Sequence, residues 1–259
     1  MKKDIPVIIL CGGMGTRLAE QTELRPKPLV EIGGKPILWH IMKHYSNYGI
    51  NEFVLALGYK GEQIKQYFLN FYTLAQNFSV NLANGQTILT DSCYHEDWMV
   101  HLVDTGQKTM TGTRLQQAAK ILGNRTFMMT YGDGVADVNL DELLAFHQQN
   151  KCPVTLTAVR PPARFGALEF DENMIRAFKE KSILQEGWIN GGFFVIEPEA
   201  LKYIDGDVMW EHAPMEKLAS EGRLCGYRHS GFWQCMDTGR DLKYLEELWE
   251  SGHAPWKTW

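Results

Sequence analysis

The stretch Ile5-Pro6-Val7-Ile8-Ile9-Leu10-Cys11-Gly12-Gly13-Met14-Gly15-Thr16-Arg17-Leu18 decides the fold. Residues 5–10 form a short continuous apolar run and read as a buried strand. The glycines that follow let the backbone approach a ligand and turn N–H groups toward anionic oxygens. The run is far shorter than the ~20 residues that cross a bilayer. Lys2 and Lys3 precede it as in a secretory leader, yet no A-x-A-like site follows. A soluble, cytoplasmic chain with no membrane partner is expected.

Outward from this strand, residues 36–48 read as a helix with Ile37, Leu38, Ile41 and Met42 on one face and Pro36 at its start. Residues 52–56 read as the next strand and 61–72 as the next helix, with Ile64, Tyr67, Phe68 and Phe71 in register. Strand, helix, strand in this order predicts a right-handed βαβ unit and a mostly parallel sheet. Residues 78–82 and 87–90 flank Asn84-Gly85, a hairpin signal. A second unit follows in strand 100–103, helix 111–122 and strand 127–131, continued by helix 140–149 and strand 154–159. Beyond residue 163 short strands dominate (167–170, 175–179, 189–196), before helices near 215–221 and 241–250. The predicted class is α/β, a doubly wound, mostly parallel sheet with extra C-terminal β structure over its edge. No repeat or linker interrupts it, so residues 1–259 are expected to form one domain.

The 259 residues are 44% hydrophobic and 22% charged, which excludes a disordered or fibrous chain. Lys and Arg number 26 against 31 Asp and Glu, a net charge of -5 that argues against nucleic acid as partner. A phosphorylated small substrate is not excluded, because it needs only a few local cations. The first 35 residues supply them: Lys2, Lys3, Arg17, Arg25, Lys27 and Lys35 outnumber Asp4, Glu20, Glu23 and Glu31. Cys11, Cys93, Cys152, Cys225 and Cys235 are odd in number, scattered and free of C-x-x-C spacing, so reduced, mostly buried thiols are expected. Six of the eight tryptophans lie in residues 188–259. That fits a sugar-contacting or oligomer-forming face and ordinary packing equally.

The glycine loop is neither of the common phosphate loops. It lacks the G-K-[ST] ending of a Walker loop, and Leu18 stands where a dinucleotide fingerprint has its third glycine. What distinguishes it from a plain turn is Arg17 and the Pro-flanked Lys27, whose prolines are expected to hold the backbone extended. His40 and His44 have the spacing of a two-ligand zinc site, but without the Glu of H-E-x-x-H or an identified third ligand they read as solvated or packed. No Ser/His/Asp or Cys/His arrangement stands out.

Gly12-Gly13-Met14-Gly15-Thr16-Arg17-Leu18 followed by Pro26-Lys27-Pro28 resembles the signature of the sugar-1-phosphate nucleotidyltransferases, the nucleoside-diphosphate-sugar pyrophosphorylases. Further matches are Tyr131-Gly132-Asp133, Arg164-Phe165-Gly166, Glu180-Lys181, the run Ile189-Asn190-Gly191-Gly192-Phe193-Phe194, and Phe232-Trp233 with Met236-Asp237-Thr238. Within that family the chain most resembles the branch that transfers a cytidylyl group to glucose 1-phosphate. Residues 31–40 (EIGGKPILWH), 102–106 with 110–112, 131–137 (YGDGVAD) and 254–259 (APWKTW) carry this.

The resemblance implies a Rossmann-like domain, with a nucleotide part over about residues 1–150 and a sugar part over about 151–259. It implies CTP and glucose 1-phosphate as partners, Mg²⁺ as cofactor and a homo-oligomer. Leu10, Gly12, Gly13, Gly15, Thr16 and Gly132 would cradle the nucleotide, Arg17 and Lys27 the triphosphate and departing pyrophosphate, and Asp133 and Asp237 the metal. Thr109 and Arg114 occupy the stretch that reaches cytosine, whose O2 and N3 are acceptors. Gly166, Glu180, Lys181 and Asn190 would hold the sugar phosphate. Ser182 stands where the family usually has proline, which removes a backbone restraint after Lys181. On the residues alone Asp133 reads as a turn former, Asp137 as a cap or loop residue, Arg114 as a surface arginine at a helix start and 179–181 as a solvated charge run. A scaffold preferring dTTP or UTP, a binding module without catalysis and, more weakly, a dehydrogenase-like chain remain open beside the cytidylyl reading.

Overall fold

The apolar run of the opening stretch forms β1 (Val7–Cys11), buried along its whole length. A computed structural model describes residues 4–13, 18, 22–89, 95–161, 167–171, 174–179 and 187–259. After β1 come the ribbon β2 (Glu31–Ile32) and β3 (Lys35–Pro36), helix α1 (Ile37–Asn47), strand β4 (Glu52–Leu57) and helix α2 (Gly61–Leu69). The hairpin β5 (Phe78–Asn81) and β6 (Gln86–Leu89) precedes β7 (Met99–Asp104), α3 (Thr111–Ala119), β8 (Phe127–Tyr131), β9 (Gly134–Ala136) and α4 (Leu140–Asn150). The remainder is β10 (Val154–Val159), β11 (Ala167–Asp171), β12 (Met174–Lys179), β13 (Ile189–Asn190), β14 (Phe194–Ile196), α5 (Ala213–Ser220), β15 (Leu224–His229), β16 (Trp233–Cys235) and α6 (Gly239–Glu250).

Eight strands make the central sheet. Parallel pairing joins β7 to β4, β4 to β1 and β1 to β8. Strand β14 then runs antiparallel between β8 and β10, and β15 lies parallel on the far side of β10. The sheet is mostly parallel with added C-terminal β structure, as the periodicity indicates. Alternation along β1 sends Val7 and Ile9 to a core with α1 and Ile8 and Leu10 to one with α3. Trp256 closes the first core and Trp210 the second, both fully buried.

Three expectations are corrected. The single strand over 189–196 is two pieces, because Gly192 (φ +76) and Phe193 (φ +50) break the extended backbone. Gly191 leaves space there for Val159, whose Cγ1 would lie 2.5 Å from an added Cβ. The predicted helix over 111–122 ends at Ala119 and tightens into a 3₁₀ turn before Gly123 (φ +63). Finally, Cys152 and Cys225 are joined as a disulfide with Cα atoms 6.1 Å apart, because parallel pairing of β10 and β15 brings them together. Cys11 and Cys235 are free.

The two histidines of α1 are packed. His40 Nε2 donates to the Ile32 carbonyl at 2.9 Å and its Nδ1 accepts from Trp256 Nε1 at 3.4 Å. His44 Nε2 donates to the Val138 carbonyl at 3.0 Å. Burial pushes both rings down to about 4, outweighing their backbone hydrogen bonds. No helix among the described residues is long and apolar enough to cross a membrane.

Candidate functional site

Ligands of open α/β sheets gather outside the carboxyl ends of the parallel strands. There, β1 runs into Gly12 and Gly13, β8 ends at Tyr131-Gly132-Asp133, and the loop after β7 leads into α3. These segments wall a cleft of about 570 Å³. Leu10, Gly12, Gly13, Lys27, Thr109, Arg114, Gly132 and Asp133 all line it, so the structure gathers these sequence-predicted residues in one place. Gln107, Lys108, Thr111, Tyr131 and Met209 line it too, and none of them is among the site residues expected from the sequence. Of these, Tyr131 and Thr111 had a sequence signal, lying in the stretches 131–137 and 110–112 that carry the resemblance. Gly15, Thr16, Arg17, Gly166, Glu180 and Lys181 lie outside the described residues.

Lys27 is the electrostatic centre. Its Nζ donates to Asp133 Oδ2 at 2.7 Å and to Asp237 Oδ1 at 2.6 Å. Pro26 is extended as expected (ψ 146), but Lys27–Leu29 closes a 3₁₀ turn through Leu29 N–H to the Pro26 carbonyl at 2.8 Å. Burial of Pro28 and Leu29 anchors that turn and aims the lysine inward. Burial alone would lower the ammonium's pKa. The two carboxylates, Asp133 foremost, outweigh it and raise the pKa.

The apolar run 232–236 reads in the sequence as a strand that brings Asp237 to the carboxyl end of a parallel sheet, as 127–131 does Asp133, and the structure corrects the partner. Strand β16 pairs antiparallel with β9, not with the central sheet, and Met236 N–H bonds the Asp133 carbonyl at 2.8 Å. Asp237 therefore emerges beside Asp133. A capping box then fixes it: Thr238 caps α6, and Asp241 Oδ2 accepts from Asp237 N–H at 3.1 Å and Thr238 N–H at 2.8 Å. Asp137, read as a cap or loop residue, lies in the loop after β9 with Oδ1 2.9 Å from His229 Nε2, and the cap of α4 is Asn139.

Two carboxylates around one cation position form a hard oxygen donor set. Among the described residues no third His, Cys, Asp or Glu completes a larger metal cluster. Mg²⁺ suits such a set, because it commonly takes one or two carboxylates and fills its octahedron with water and phosphate oxygens.

Arg114 is a brace. Its Nη1 donates to Leu57 O at 3.0 Å, Thr105 Oγ1 at 2.7 Å and Gly106 O at 2.7 Å, and its Nη2 to Gly12 O at 3.3 Å and Gln107 O at 3.1 Å. One guanidinium thus ties the glycine loop to the loop bearing Thr109. Gly12 and Gly58 make room for it, since a Cβ at either would lie 2.4 Å from the guanidinium. Asn190 reaches the same cleft indirectly, donating from Nδ2 to the Tyr131 hydroxyl at 3.2 Å.

Residues 6–239 match the family model described as nucleotidyl transferase. The chain is 48% identical over 257 residues to a glucose-1-phosphate cytidylyltransferase of Salmonella typhi, covering 97% of this chain and 98% of that protein. It is 43% identical over 254 residues to a probable glucose-1-phosphate cytidylyltransferase of Bacillus subtilis (strain 168), covering 97% and 99%. Among solved structures, HddC from Yersinia pseudotuberculosis superposes with a TM-score of 0.69 at 20% identity, covering 95% of this chain and 99% of that one. The inositol-1-phosphate CTP transferase from T. maritima gives 0.66 at 16% identity, covering 100% and 99%. These two likenesses concern the fold.

Proposed function

The chain belongs to the nucleotidyl transferase family, and on that premise we infer that it transfers the cytidylyl group of CTP to α-D-glucose 1-phosphate, giving CDP-glucose and pyrophosphate. The Lys27 ammonium held between Asp133 and Asp237, beside a glycine-walled cleft, carries the reading. It gathers a cation and two oxygen ligands where a polyphosphate enters. The near-full-length relatives supply the base and the sugar.

A phosphate oxygen of the sugar phosphate attacks the α-phosphorus of CTP in line, and pyrophosphate departs from the opposite side. That oxygen is already anionic near neutral pH, so no general base is required. The protein's work is placement and charge stabilisation. Residues 10–16 cradle the nucleotide, Lys27 and Arg17 hold the triphosphate and the leaving pyrophosphate, and Thr109 with the loop braced by Arg114 faces the base. Gly166, Glu180 and Asn190 take the sugar and Lys181 its phosphate, which puts the sugar in the part after about residue 150. Asp133 and Asp237 would hold Mg²⁺, whose charge, when bound, screens the phosphate oxygens.

A cytoplasmic homo-oligomer completes this reading. The hairpin of β5 and β6 is exposed at every residue, Phe78, Val80, Ile88 and Leu89 included, and an isolated two-stranded hairpin is marginal in water until something covers it. The decisive assay is pyrophosphate release from each of four nucleoside triphosphates with glucose 1-phosphate and Mg²⁺. CTP is expected to lead. Equal or faster use of dTTP overturns the base assignment, and no release with any triphosphate overturns catalysis.

A further inference from the structure

The Tyr131 hydroxyl lies 2.6 Å from Glu211 Oε1, and the Thr111 hydroxyl lies 2.5 Å from Glu211 Oε2. A carboxylate has no proton to give, so both hydroxyls donate to it. Thr111 Oγ1 in turn accepts from Trp210 N–H at 2.9 Å. Tyr131 has one proton to donate in a hydrogen bond, and Glu211 accepts that bond. The Asn190 amide, 3.2 Å from the phenol oxygen, must therefore present its NH₂ to Tyr131. Its Oδ1 is held from the other side by Gly192 N–H at 2.9 Å. Every bond runs in one direction, from Gly192 through Asn190 and Tyr131 to Glu211. Burial first, and the Glu211 carboxylate second, push the phenol's pKa well up, so the chain keeps its proton.

We propose that Glu211 is a positioning residue for sugar recognition: through the Tyr131 hydroxyl it fixes the side-chain amide of Asn190 in one orientation, and through Thr111 it ties the start of α3 to the same point. The amide is left with one N–H and one oxygen lone pair in fixed places for a sugar hydroxyl pair. A half-buried carboxylate fed, among the described residues, by two neutral hydroxyls adds little stability over a well-packed apolar side chain. What it adds is direction. The proposal rests on the reading of Asn190 as a sugar-side residue in the proposed reaction.

The test is Glu211→Gln, which keeps the shape but replaces one acceptor by a donor. Its KM for glucose 1-phosphate is expected to rise about tenfold, with KM for CTP and kcat within about twofold. Tyr131→Phe is expected to give a similar rise, and the double variant to be no worse than either single, because both break one chain. Equal rises in both KM values, full additivity in the double variant, or an unchanged sugar KM each overturn the proposal. Calorimetric binding of glucose 1-phosphate beside a non-hydrolysable CTP analogue repeats the comparison without turnover. Absent wild-type turnover then counts against the proposed reaction, while Glu211 is judged on binding: weaker binding by the variant supports its role and equal binding refutes it.

Discussion

Lys27→Ala separates the electrostatics of the cluster from its catalysis. Lys27 makes charge-assisted hydrogen bonds of 2.7 and 2.6 Å to Asp133 and Asp237. The lysine side chain is 11% exposed, Asp237 15% and Asp133 34%. Removing one partner of a fully buried ion pair costs ~3–5 kcal/mol. With Asp133 a third exposed, solvent screens part of that, leaving about 2–3 kcal/mol. At 2–4 °C per kcal/mol for a chain of this size, the melting temperature should fall by about 4–12 °C. The sign with pH is set by the raised lysine pKa: the stabilisation is whole below the unfolded value and lost only as pH climbs through the still higher folded value. The deficit should therefore be constant from pH 7 to 9. Mg²⁺ should stabilise the variant more than the wild type, because a cation then meets two carboxylates with no ammonium between them. Lys27→Met, which keeps the stem, should behave alike, and kcat/KM should drop on the order of 10²–10³ in both variants. Thermal melts with and without Mg²⁺ decide the matter. A melt within 1 °C or so of wild type without metal, or equal Mg²⁺ shifts in both proteins, would refute the shared-cation picture.

Other perturbations test the surrounding supports. Gly12→Ala puts a Cβ 2.4 Å from the Arg114 guanidinium and should raise KM for CTP while costing about 1–3 kcal/mol in urea unfolding; Gly13→Ala, with nothing within 4 Å among the described residues, is the control expected to keep stability. Asp241→Ala removes the acceptor for Asp237 N–H and the capping box, so it should cost about 1 kcal/mol and lower kcat with little change in either KM. His40 and His44 are held neutral by burial, with pKa values near 4, so the unfolded chain binds more protons below pH ~6.5. Stability should fall steadily from pH 6.5 to 4. Urea midpoints measured across that range check it, and a flat profile contradicts the burial.

The parts of the fold that could be read from sequence are those that bury continuous apolar runs. Residues 7–11 and 127–131 sit inside the sheet, so their hydrophobicity alone marks them. Strand β15 gave no such mark, because an edge strand tolerates Gly226, Arg228 and His229. The Cys152–Cys225 bond was hidden with it. The loop glycines, Lys27 and Asp133 were legible as a motif and residues 232–236 as a strand-like run before Asp237, but the antiparallel pairing of that run with the three-residue β9, in place of a parallel strand, was not. Arg114 looked like a surface arginine at a helix start. Only the bare backbones of Gly12 and Gly58, seen in three dimensions, explain how its guanidinium can be buried. Glu211 left no periodic signal, since its meaning lies in the two hydroxyls that converge on it.

The ribbon of β9 and β16 also joins parts of the chain that are synthesised at different times. Lys27 and Asp133 are both synthesised with half the chain still to come, and Asp237 follows near its end. Until Trp233–Cys235 pairs with Gly134–Ala136, Lys27 has the Asp133 carboxylate beside it but not that of Asp237. A chain cut short before residue 233 lacks both Asp237 and the capped helix behind it, and the Lys27 ammonium is left with one carboxylate.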